Sequence, residues 1–103
     1  MAAAGAASSF QLLSYTYVSD ILEKRGPHRD AHIAAARQKG KEGKLILAGA
    51  VGAPTPEGGL FVFRDAPAEE IKAFVEADPY SKAGLISSWS IKPYNVVVNA
   101  LEK

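Results

Sequence analysis

LFVFRDAPAEEIKAFV, Leu60 to Val75, is the stretch whose reading decides the fold. LFVFR follows the turn TPEGG and is rich in aromatic and β-branched side chains, so it reads as a strand. Asp65 or Ala66 then precedes a helix carrying Pro67 in its first turn, where the missing N–H costs nothing. Glu69 and Glu70 sit near the positive end of that helix. Ile71, Phe74 and Val75 recur at steps of three and four and give it one buried stripe. Asp78–Pro79 ends it.

The same order appears upstream. KLILAGAVG, Lys44 to Gly52, reads as a strand that loosens into glycine. Before it, Gly26–Pro27 opens an alanine-rich helix that runs to about Lys41, with Gly40 and Gly43 as alternative stops. FQLLSYTYV, Phe10 to Val18, reads as a central strand at least partly covered on both faces. ILEK, Ile21 to Lys24, after it is expected to form a helical turn. Downstream, YSKAGLI is a connector into SSWSIKPYNVVV, the fourth strand; Pro93 places it on an edge or breaks it. Gly58 and Gly59 sit in a turn, where backbone freedom accounts for them.

The element order β-α-β-β-α-β implies an α+β, ferredoxin-like domain: a four-stranded antiparallel sheet with two helices on one face. Helices cover one sheet face only. The other carries too much apolar surface for water, which predicts a homodimer through the sheet face, its two sheets stacked or closed into a shared barrel. Residues 1–9 read as a flexible tail and 10–103 as the single domain. A chain of 103 residues has no room for a second core.

A net charge of +1 provides no field for gathering nucleic acid or an anionic membrane. There is no cysteine, so thiol nucleophiles, thiolate metal sites and disulfides are excluded. No apolar run is long enough to span a bilayer, and MAAAGAASS resembles neither a secretory signal nor an arginine-rich organellar presequence. A cytoplasmic location is expected.

EKRGPHRDAH, Glu23 to His32, holds both histidines. His28 and His32 stand four apart and share a face if the helix starts at Pro27. His28 is either a first-turn surface group or a neutral base. His32 lies deeper among alanines, where an imidazole needs a partner. Arg25 and Arg29 flank the helix start and suit a carboxylate, phenolate or phosphate. Asp78, in Asp78-Pro79-Tyr80, is either a helix boundary marker or the carboxylate that orients a histidine for acid/base work. Trp89, with Tyr15, Tyr17 and Tyr94, is suited to core packing or to a flat ligand. The HxxxH spacing permits a metal, but HExxH and cysteines are missing; neither metal nor cofactor is expected.

Together RGPHRDAH, LILAGA, LFVFRD, EADPYSKAGL and SWSIKPYNVV resemble the YciI-like (YCII-related) family from about Leu12 to Val98. The resemblance rests most on Arg29-x-x-His32 and on Asp78-Pro79-Tyr80 followed by Ala83-Gly84. It implies a dimeric α+β barrel with a site near the subunit interface, in which His32 and Asp78 are the suspected pair. One branch of the family removes chloride from a hydroxylated chloroaromatic ring. The expectation is a small-molecule enzyme without a cofactor. His32, Asp78 and Arg29 would be catalytic, and His28, Arg25, Tyr80 and Trp89 would bind an activated or aromatic anionic substrate. The alternative is a non-catalytic homodimer that binds a small metabolite.

Overall fold

The computed structural model describes residues 8–101. Of the expected N-terminal tail, residues 1–7 lie outside the described range. The elements are β1 (Phe10–Tyr17), α1 (Ile21–Lys24), α2 (Gly26–Lys41), β2 (Leu45–Val51), β3 (Gly58–Arg64), α3 (Ala68–Ala77), α4 (Pro79–Lys82) and β4 (Ile86–Pro93). The strands form one sheet in the order β2-β3-β1-β4, every neighbouring pair antiparallel.

This arrangement corrects the ferredoxin-like barrel expectation. The chain runs β-α-α-β-β-α-α-β, not as a simple six-element unit, because single helical turns precede α2 and follow α3. The sheet is open. Closure would require β2 and β4 to pair, yet β3 and β1 hold them at opposite edges.

Register explains the core. Residues directly opposite one another in an antiparallel pair project to the same face. Leu13 faces Phe61 on one side and Ile91 on the other, and Phe63 lies opposite Leu45. These side chains meet the α3 stripe of Ile71, Phe74 and Val75 in a single buried cluster. Phe74 fills the centre, its ring 5.8 Å from that of Phe61 and 5.5 Å from that of Phe63. Each such fully buried side chain contributes about 1.5–3 kcal/mol. A smaller cluster of Ile21, Tyr80 and Leu85 joins α1 to α4.

Several junctions have local causes. Pro67 is the N-cap of α3 and lies just outside its first turn. Asp65 turns the chain from β3 at a left-handed φ of 51°; its carboxylate accepts the Ser9 N–H, and its own N–H donates to the Ser9 carbonyl. Pro93 ends β4, an edge strand, opposite Gln11. Gly58 and Gly59 are needed for their lack of a side chain. A Cβ at Gly58 would run into the Tyr15 carbonyl, and one at Gly59 would lie 2.9 Å from the Tyr17 hydroxyl. Neither has a positive φ, so the sequence-based view of them as turn glycines needing backbone freedom is corrected.

Candidate acid-base site

Asp78 is fixed first by its neighbour. Proline disfavours a helical conformation in the residue before it, and Asp78 is extended (φ −64°, ψ 127°) as the N-cap of α4, with Pro79 in the first turn. Its Oδ1 accepts the Tyr80 N–H at 2.9 Å. Boundary marker and site residue were the two readings of this aspartate, and it is built to serve as both.

The same carboxylate meets α2 and β1. His32 Nδ1 lies 2.8 Å from Oδ1 and 3.0 Å from Oδ2, and the Tyr15 hydroxyl donates to Oδ2 at 2.8 Å. The Asp78 side chain is wholly buried and that of His32 nearly so. A buried carboxylate is costly unless its lone pairs are satisfied; here three donors from three elements satisfy them. Carboxylate oxygens only accept, so Nδ1 carries the hydrogen and Nε2 of the neutral ring holds the lone pair. Among the described residues Nε2 has no hydrogen-bond partner, and no buried side-chain nitrogen or oxygen is left unpaired. Nε2 therefore opens towards solvent. This is a buried His–Asp pair suited to acid/base chemistry.

The imidazole is held flat. Tyr80 stacks on it with centroids 3.8 Å apart and planes 3° apart, and Phe61 meets it edge-on at 6.2 Å. Burial raises the pKa of the Tyr80 hydroxyl, against the opposing pull of the positive charges of Arg25 and Arg29. Burial, and next the negative charge of Asp78, hold the Tyr15 phenol far above its ordinary range, so it remains a donor. Burial also pushes Tyr17 up to about 12.

His32 and Tyr80 stand in the wall of a cavity of about 430 Å³ between α2 and β2. Arg25, Arg29 and Arg37 line it, together with Tyr17, and no carboxylate among the described residues does. The structure thus brings Arg25, Arg29, His32 and Tyr80 to one cavity, with Asp78 behind the histidine. His28 and Trp89 are not among its lining residues. His28 lies in the first turn of α2, half-buried; Trp89 stands opposite Tyr15 on edge strand β4, 40% exposed. Tyr15 as a partner of Asp78, and Arg37, were not foreseen. Arg37 was discoverable, since it lies two steps of four beyond Arg29; nothing in the sequence ties Tyr15 to a carboxylate 63 residues away.

Among the described residues no group of three or more histidines, aspartates or glutamates is placed to hold a metal ion. No described helix is long and apolar enough to cross a membrane.

Residues 10–95 match the model of the YCII-related domain. Protein YciI from Escherichia coli O6:H1 and that from Shigella flexneri are each 33% identical over 87 residues, covering 77% of this chain and 89% of their own. Among solved structures, 5-chloro-2-hydroxyhydroquinone dehydrochlorinase from Burkholderia phenoliruptrix, in complex with 2,5-dihydroxybenzoquinone, superposes with a TM-score of 0.72. It shares 24% identity and covers 84% of this chain and 93% of that one, a likeness of fold.

Proposed function

Because this chain belongs to the YCII-related domain family, we propose that it is a small-molecule enzyme whose own side chains move a proton on an activated, aromatic anionic substrate. The observation that carries the reading is the buried Asp78–His32 pair beside a cavity lined by arginines. His32 Nε2 takes a proton from the substrate, and Asp78, a positioning residue, stabilises the imidazolium. Arg29 holds the developing oxyanion with Arg25 beside it in the cavity wall, and Tyr80 keeps the imidazole plane in register with the substrate. The electron pair freed by deprotonation takes up a proton at a ring carbon, giving the keto isomer; where that carbon bears a halide, loss of a second hydroxyl proton then expels the halide as its anion and leaves the quinone. The dehydrochlorinase of similar fold supports including the second outcome.

The test uses a chlorinated hydroxyhydroquinone under anaerobic conditions, following chloride release and ring absorbance. General acid-base catalysis contributes roughly 10²–10⁴-fold, so His32→Gln should cost at least about a hundredfold in turnover while 2,5-dihydroxybenzoquinone still binds. Conversion by the wild type no faster than by His32→Gln would sink the proposal.

The homodimer belongs to the same proposal. Register places Leu12, Leu60 and Val62 on the sheet face away from the helical layer, and Leu47 and Leu60 are 57% and 41% exposed. Two such faces stacked would bury them, and a monomer in sedimentation velocity at micromolar concentration would refute the pairing. Cytoplasmic residence is the location proposed with this reading.

A further inference from the structure

The cavity has a second polar end that the proton transfer does not use. From the N-cap Arg25, residues 29, 33 and 37 follow at four-residue steps along α2, with His32 and Ala36 beside them, so one broad stripe of the helix forms the wall. Arg29 stands beside the His32 end. Arg37 lies eight residues further, about 12 Å along the axis at about 1.5 Å per residue. Between them the lining is apolar: Ile33 and Ala36 on the helix, Ala48 and Ala50 on β2. Among the described residues neither Arg29 nor Arg37 makes an ion pair. A cavity with cations at both ends, an apolar middle and no carboxylate among the described residues of its lining matches a ligand with anions at both ends.

We propose that Arg37 is a specificity residue: the substrate is a hydroxylated aromatic ring bearing a carboxylate on a short arm, its ring oxygen at Arg29 and His32, its carboxylate on Arg37. This rests on the acid-base reading of the same cavity and names the substrate class. The guanidinium fork takes a carboxylate in two parallel hydrogen bonds. Ala36, Ala48 and Ala50 leave room for the flat ring between the charged ends.

Calorimetric titration with two matched probes tests the assignment: 3-(4-hydroxyphenyl)propanoate and 4-ethylphenol, which share a phenol and differ by the carboxylate. A hydrogen bond to a charged group is strong enough for a gain of about tenfold or more, so wild type should prefer the propanoate by that margin. Arg37→Gln should erase the preference and leave 4-ethylphenol binding unchanged. Lys72→Gln, an exposed change on α3 outside the cavity, should keep the preference and so separate contact from general charge. Equal binding of both probes by wild type, or a preference that survives in Arg37→Gln, overturns the role of Arg37 and leaves the acid-base reading standing. Absence of binding by both probes overturns the two together.

Discussion

Replacing Asp78 by asparagine tests whether the site is held as the hydrogen bonds indicate. The side chains are nearly isosteric, so packing is kept while one acceptor oxygen becomes an NH₂ donor. The carboxylate serves Tyr80 N–H on Oδ1 and the Tyr15 hydroxyl on Oδ2, with His32 Nδ1 within reach of both. Whichever way the amide turns, one of Tyr15 and Tyr80 faces a donor. A stranded buried donor costs about 1–3 kcal/mol, and turning a charge-assisted bond into a neutral one removes about 1 kcal/mol more. Relief of the buried charge offsets part of this, leaving a loss of roughly 1–3 kcal/mol, a sizeable share of the ~5–15 kcal/mol of an ordinary domain. Urea denaturation of Asp78→Asn, Tyr15→Phe and the double variant makes the test specific. Tyr15→Phe alone should cost about 1.5–3 kcal/mol, the size of a bond to a charged group. In the Asp78→Asn background, with Oδ1 retained by the Tyr80 N–H, the Tyr15 hydroxyl is left to accept a neutral bond from the new NH₂, so the same change should cost about 1 kcal/mol, a coupling of about 1 kcal/mol. Additive losses, or an Asp78→Asn loss under about 0.5 kcal/mol, would refute the reasoning.

The raised phenol pKa values of Tyr15, Tyr17 and Tyr80 predict an alkaline limit. The folded protein keeps protons that the unfolded chain releases near pH 10, so this contribution is complete below pH 10 and is lost as pH rises towards about 12, where Tyr17 titrates. The urea midpoint should fall above pH 10, with phenolate absorbance rising together with unfolding; full phenolate absorbance near pH 10 in a protein still folded would contradict it. At the glycine pair, Gly58→Ala forces a Cβ against backbone and should cost upwards of about 3 kcal/mol, beyond ordinary overpacking. Gly59→Ala presses mainly on the movable end of Tyr17 and should cost about 1 kcal/mol while weakening ligand binding; the reverse order of stabilities would count against the register.

Much of this was legible because the signals are local. LFVFR and its helix announced themselves by composition and by the Ile71–Phe74–Val75 stripe, and ILEK by residue type. A four-residue helix such as α4 is too short to show periodicity, so Tyr80 to Lys82 read as part of the connector YSKAGLI. Barrel closure depends on which strands lie at the sheet edges, which strand patterning does not encode. Within the site, Arg29, His32 and Asp78 were visible as residue types in need of partners. Tyr15 was not, since its role arises from β1 passing beneath the α3–α4 junction. His28 and Trp89 suited a site by residue type alone; Trp89 lies on the edge strand opposite β2, and neither side chain is among those lining the cavity.

The parallel stack of His32 on Tyr80 gives the protein a label of its own. Protons above the face of an aromatic ring are shielded by its circulating current, so the carbon-bound protons of His32 should resonate upfield of the usual imidazole region. The chain has two histidines, and no described ring stacks on the other. The imidazole at the candidate site can therefore be assigned, titrated and watched for ligand in unmodified protein, without replacing the group under study.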